Sequence, residues 1–186
     1  MSLRQNGEPI HFLCMFATAV LQKNRIIIAT MIELNIPGKG IIKLEHLVCD
    51  VNGTLAIDGK LIECVGRSLS TLKDLLEIHL ITADTHGQQD LIDDIIGLHS
   101  IRIKPGNEME QKEDFVYHIG KEKVVAIGQG ANDSGMLREA ALGICILSQE
   151  GLAVSSLQAA DILVPDLPTA FALLEQPLRI IATLRK

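Results

Sequence analysis

The sequence predicts a three-layer α/β domain: one parallel sheet with helices on both faces. Three observations predict it. From residue 31 onward, short apolar runs alternate with segments of helical spacing. Those runs are apolar throughout rather than at every second residue, the mark of strands buried on both sides. Several of them also end in a polar residue, and such sheets bind ligands beyond the carboxyl ends of their strands. A chain of 186 residues is long enough for one domain with a well-buried core, and no repeat, low-complexity linker or second domain interrupts it.

Residues 1–30 read as an extension ahead of the domain, which then occupies 31–186. Within that extension, the 12-residue run "IHFLCMFATAVL" is too short to span a membrane. Glu8 and Pro9 stand before it and argue against a secretory signal. Met31 opens the strand "MIELNI", and "IIKLEHLVCD" reads as one extended apolar segment ending at Asp50. In "ECVGRSLSTLKDLLE", Val65, Leu69, Leu72, Leu75 and Leu76 share one side of a helix. The strand "IHLIT" (78–82) follows, then the helix "QQDLIDDIIGL" closed by Gly97, and the strand "SIRI". Residues 109–120 form a helix stopped by Gly120. "KVVAIG", "LGICIL" and "DILVP" are strands, separated by helices in "NDSGMLREAA" and "EGLAVSSLQAA". Two helices, 168–175 and 178–185, complete the pattern.

Composition excludes several functions. The net charge of −6 and an aromatic content of 3% with no Trp argue against nucleic acid, which needs bulk positive charge and stacking platforms. An anionic substrate would need a locally built site. The four cysteines, Cys14, Cys49, Cys64 and Cys145, have no zinc-ligand spacing, and three of them sit in apolar runs and read as small buried apolar groups in a reducing, cytoplasmic compartment. His46, His79, His86, His99 and His118 are scattered, with no pair at a ligand spacing. His86, after "TADT", is either a pocket residue or a helix start.

Chemistry concentrates where strands end. The first long apolar run delivers Asp50, the next Thr82, and a later one "GQGAND", Gly128 to Asp133. In a doubly wound sheet these ends are neighbours. A strand-tip carboxylate can attack phosphorus and divide one difficult displacement into two easier ones. A Thr hydroxyl and backbone N–H groups can hold phosphate oxygens, and a second carboxylate, Asp133, can help hold magnesium, which prefers oxygen ligands. A lysine must then offset the gathered negative charge. Lys112, early in its helix, is placed for that, with Lys104, Lys121 and Lys123 as rivals. Each piece alone has a plain alternative. "DVNGT" could be a strand-to-turn junction and "GQGAND" a turn with a helix N-cap.

In this order the motifs resemble the haloacid dehalogenase (HAD) superfamily, and within it soluble proteins like the phosphorylation domain of P-type ATPases. The matching stretches are Asp50-Val51-Asn52-Gly53-Thr54, Thr82-Ala83-Asp84, Lys112, and Gly128-Gln129-Gly130-Ala131-Asn132-Asp133. "AALGICI" resembles the segment that follows the last motif in the ATPases. The resemblance covers about residues 45 to 175. It implies a Rossmann-like HAD fold and an aspartyl-phosphate on Asp50. Lys112, Thr82, Gly53, Thr54, Ala83 and Asn132 would lie about the phosphate, and Asp50, the main-chain carbonyl of Asn52 and Asp133 about Mg2+.

Two departures qualify it. Phosphatases of the superfamily carry a second Asp where this chain has Asn52, which cannot transfer a proton. General acid–base help is worth about 10²–10⁴-fold, so alkyl phosphates should turn over slowly. Gln129 replaces a carboxylate that usually serves the magnesium ion. Only 32 positions separate Asp50 from Thr82, and 30 separate Thr82 from Lys112, so no cap domain fits and no ATP-driven pump is implied. An open site calls for a large phosphorylated substrate, small molecule or protein, or a second copy of the chain as cover. Two functions stand at this point: a slow magnesium-dependent phosphohydrolase or phosphotransferase, and a phosphate-binding or regulatory module without turnover.

Overall fold

A computed structural model describes residues 31–83, 87 and 89–186. The expectations for residues 1–30, Asp84 and His86 fall outside the described residues.

The chain opens with an antiparallel hairpin of β1 (Ile32–Ile36) and β2 (Gly40–Leu44). Only Glu45 separates β2 from β3 (His46–Asp50), so the apolar segment predicted over 41–50 is two strands in two different sheets. Ile41, Ile42 and Leu44 precede the junction and Leu47, Val48 and Cys49 follow it, with no glycine or proline at Glu45, which is why the segment reads as one strand. A small hairpin follows, β4 (Ala56–Ile57) and β5 (Lys60–Leu61). Its turn is Asp58-Gly59, both at positive φ (49° and 73°), the conformation of a tight two-residue connection.

Beyond it come α1 (Val65–Leu72), β6 (Glu77–Thr82), α2 (Gln89–Ile96), β7 (Ile101–Arg102) and α3 (Glu108–His118). Then β8 (Val124–Gly128), α4 (Ser134–Glu139), β9 (Leu142–Ile146), α5 (Val154–Ala159) and β10 (Ile162–Val164) alternate, and α6 (Leu167–Glu175) and α7 (Pro177–Leu184) close the chain.

Six strands form the central sheet in the order β10-β9-β8-β3-β6-β7, every neighbouring pair parallel. The chain builds outward from β3 through β6 to β7, then returns to lay β8 on the other flank of β3. That reversal puts the switch point of the sheet beside β3, where the crevice of a doubly wound fold opens.

Residues alternate across the sheet, so β3 sends Leu47 and Cys49 to one face and His46, Val48 and Asp50 to the other. The larger core cluster joins Leu47, Cys49 and Leu80 to Val65, Leu69 and Leu72 of α1, Phe171 of α6 and Ile180 of α7. The three α1 side chains are fully buried, and each contributes roughly 1.5–3 kcal/mol by leaving water. On the opposite face, Val48 and Ile81 pack with Val116 of α3 and with Met136 and Leu137 of α4. Asp50 shares this second face, so α3 can reach it. Among the described residues no domain is inserted between Asp50 and Lys112, and no helix is long and apolar enough to cross a membrane.

Candidate active site

β3 ends at Asp50, and the next residues fold back at once. The amides of Thr54, Leu55 and Ala56 all donate to the Val51 carbonyl, and that of Gly53 donates to Ala56. Gly53 has φ +77°, and a Cβ there would stand 2.1 Å from Gln129 Nε2 and 2.8 Å from Glu150 Oε2. Glycine is therefore required twice, by backbone conformation and by close approach. The amides of Gly53 and Thr54, expected at a phosphate, are committed within this turn.

Lys112 is 0% exposed and reaches inward from α3. Its Nζ stands 2.6 Å from Asp50 Oδ1 and 2.6 Å from Asp133 Oδ1, donating to both. Gly135 of α4 makes this approach feasible, because a Cβ there would meet Glu113 Oε2 at 2.7 Å and the Met109 carbonyl at 3.1 Å, both on α3. The rival lysines lie elsewhere: Lys121 pairs with Glu139, Lys123 with Glu45, and Lys104 is exposed.

Asp133 is fully buried and has both oxygens engaged. Its Oδ2 accepts from the amides of Gln129 (2.9 Å) and Gly130 (2.8 Å), which draws the loop after β8 into a ring around the carboxylate. Thr82, buried at the tip of β6, accepts a hydrogen bond from Asn52 Nδ2 at 3.2 Å. Ala83 and Asn132 are half-buried nearby in sequence, Ala83 just past β6 and Asn132 in the short 3-10 turn before α4. Thus β3, β6, α3 and the loop after β8 bring together Asp50, Asn52, Thr82, Lys112 and Asp133.

The electrostatics follow from burial. Withdrawal from water raises the Asp50 carboxyl, the neighbouring charge of Asp133 raises it further, and Lys112 only partly opposes them, leaving it at about 7. Burial alone would lower Lys112, but the two carboxylates outweigh it and hold the ammonium above its ordinary value. The Thr54 hydroxyl is near enough to favour ionised Asp50, yet it forms no well-directed hydrogen bond and its buried oxygen has no partner. Two carboxylates sharing one lysine leave the cluster short of one positive charge.

Glu150 is a residue the sequence reading does not single out: it stands first in "EGLAVSSLQAA", read as a helix, whereas α5 begins only at Val154. Its Oε1 accepts from the Asp58 amide at 3.1 Å, linking the β4–β5 hairpin to the loop after β9. The Asp58-Gly59 dipeptide is the signal that would have located the hairpin itself. Beside Gly53 lies a cleft of about 240 Å³, lined by Ile57, Ile62, Leu147, Asp166 and Pro168 among others.

An aspartate at the tip of the strand beside the switch point, backed by a buried lysine from the facing helix, defines the HAD class of α/β fold. Comparison with known proteins agrees. A 3-deoxy-D-manno-octulosonate 8-phosphate phosphatase from Moraxella catarrhalis, solved with magnesium, phosphate and KDO, matches with a TM-score of 0.56 at 17% identity, over 76% of this chain and 94% of that one. In sequence, an uncharacterized protein of Methanocaldococcus jannaschii is 38% identical over 88 residues, 45% of this chain and 95% of the relative. A soluble P-type ATPase-like phosphatase of the same organism is 28% identical over 116 residues; the match takes in 61% of this chain but only 42% of that relative's length. No family model matches the sequence. The chain thus has the HAD-like α/β fold and is similar in sequence to a soluble P-type ATPase-like phosphatase.

Proposed function

We propose that the chain is a magnesium-dependent phosphohydrolase or phosphotransferase that works through an aspartyl-phosphate on Asp50. The observation that carries this reading is the buried Lys112 ammonium held between Asp50 and Asp133. Such a group has little use in a plain core, where replacing ion pairs by apolar side chains is often neutral or stabilising. The phosphatase activity named for the soluble relative and the ligands bound by the Moraxella enzyme support it.

The donor set suits a hard divalent cation. It is made of oxygens, it lacks one positive charge, and burial together with the neighbouring Asp133 charge raises Asp50 to about 7. Asp50 and the main-chain carbonyl of Asn52 would hold magnesium, with Asp133, whose oxygens are already bonded, acting mainly through Lys112. When bound, the ion offsets the charge of the phosphate and of Asp50.

The chain's own residues do the rest. A carboxylate oxygen of Asp50 forms the bond to phosphorus while the bond to the leaving group breaks, and water later releases phosphate from the acyl phosphate. Lys112 and the Thr82 hydroxyl hold phosphate oxygens. Asn52 has no proton to give, and its amide instead steadies Thr82. Leaving groups that depart as stable anions, acyl and aryl phosphates, are therefore favoured. The largely apolar cleft beside Gly53 has room for such a group. With no cap among the described residues, a large substrate or a second copy of the chain would cover the site.

Intact-mass analysis after incubation with magnesium and acetyl phosphate tests this reading. The expected result is a magnesium-dependent gain of one phosphoryl group in wild type, absent in Asp50→Asn. The alternative, a module that binds phosphate without turnover, draws on Gln129, whose neutral amide lies against Gly53. No adduct and no released phosphate would favour that module.

A further inference from the structure

We propose that His46, Glu77 and His79 form a binding site for a divalent transition-metal ion, zinc by its donor set, at the amino ends of β3 and β6. The site is separate from the Asp50 cluster. Four residue steps of extended strand, roughly 13 Å, separate His46 from Asp50.

The placement follows from register. β3 and β6 are parallel, with His46 opposite Glu77 and Val48 opposite His79. Glu77 and His79 are two residues apart and so share a face, the one that carries His46. His46 Nδ1 and His79 Nε2 are 3.2 Å apart. Glu77 presents Oε2 to His46 at 3.3 Å and Oε1 to His79 at 3.9 Å. Tetrahedral zinc with ligands at about 2.0–2.1 Å sets its donor atoms about 3.3–3.4 Å apart. Two of the three separations already match, and the third closes by rotation of an exposed Glu side chain.

Hydrogen bonding alone does not account for the trio. A neutral imidazole offers one N–H and one lone pair. If His79 donates to His46, the His46 lone pair faces a carboxylate. If His46 donates to His79, the lone pair of His79 faces the carboxylate instead. If both rings turn their N–H groups toward Glu77, the two hydrogens oppose each other across 3.2 Å. A cation at the centre satisfies all three donors at once. Two imidazole nitrogens with one carboxylate select zinc or its neighbours over magnesium.

The surroundings suit a bound ion. Phe115 of α3 sets its ring against His79, 5.4 Å between centroids at 66°, and fixes the imidazole. The His side chains are 18% and 16% exposed and Glu77 67%, so an ion can enter and a fourth position stays open to water. Among the described residues this is the one trio of His, Cys, Asp and Glu side chains whose donor atoms converge this closely. A metal here would clip β3 to β6, the two strands that carry Asp50 and Thr82.

The test is titration of the full, chelator-treated chain with Co2+ and then Zn2+ in excess magnesium, reading the visible bands of tetrahedral cobalt and their loss to zinc. One equivalent is expected in wild type and in Asp50→Asn alike. Glu77→Gln, an exposed change that leaves the core intact, should weaken binding roughly tenfold or more, and His79→Gln further still. Each variant's melting curve with and without zinc supplies a second readout, since zinc should raise the transition of wild type and Asp50→Asn more than that of Glu77→Gln or His79→Gln. Absence of stoichiometric binding to wild type overturns the proposal. So does binding that survives unchanged in Glu77→Gln and His79→Gln, because the ion would then sit elsewhere.

Discussion

The two ends of the β3–β6 strand pair make opposite sites from the same backbone geometry. At the carboxyl end, Asp50 and Thr82 are buried among oxygens, with a lysine from α3 as the counter-charge. At the amino end, His46, Glu77 and His79 gather nitrogens and one exposed carboxylate, with no lysine or arginine ion-paired to Glu77 among the described residues. Both lie on the face covered by α3, which contributes Lys112 to one end and Phe115 to the other. The difference is one of burial and hardness. The deep end penalises charge, and its two carboxylates share a buried lysine. The shallow end leaves its donors half in water, where softer ligands can be exchanged.

The comparison can be broken first at its chemistry. Asn52→Asp restores a transferable proton at the oxygen end and should raise turnover of alkyl phosphates by about 10²–10⁴-fold, with little change for acyl phosphates. Steady-state assays with both substrate types check this. An equal effect on both would rule out the missing acid as the cause.

Lys112→Met removes the counter-charge and leaves two buried carboxylates. A loss of about 3–5 kcal/mol is expected in urea unfolding at neutral pH, shrinking in acid as Asp50 takes up a proton. A loss below 1 kcal/mol would mean that the oxygen end is wetter than its burial implies.

The pH dependence carries a definite sign. Asp50 has a folded pKa of about 7, above the ordinary value of 3.8, so the folded state holds the proton more tightly. Its contribution is complete below about pH 4 and is lost as pH rises through 7. Metal-free protein should therefore lose on the order of 4 kcal/mol of stability from this group between pH 4 and 8. Asp50→Asn should flatten that slope. The mildest change is Gln129→Asp, which returns a carboxylate beside Gly53 and should lower the magnesium concentration needed for phosphoryl transfer roughly tenfold. An unchanged requirement would mean that position 129 does not face the ion.

Much of the architecture was legible because its signals are local. Apolar runs of strand length, helical spacing in residues 63–77, and stops at Gly97 and Gly120 all depend on neighbours a few positions away. The strand break at Glu45 was not legible, since no glycine, proline or other turn signal marks it. The β4–β5 hairpin, whose strands are two residues each, is marked in the sequence only by Asp58-Gly59.

By itself, then, the sequence determined the alternation of strands and helices and the order of the Asp50, Thr82, Lys112 and Asp133 motifs, both carried by short-range pattern. Tertiary structure alone decided which lysine meets Asp50, because that rests on how closely α3 and α4 approach at Gly135. It also decided that His46 and His79, 33 positions apart, stand ring to ring. Strand order and parallel register create that contact, and neither leaves a trace in the spacing of the residues along the chain.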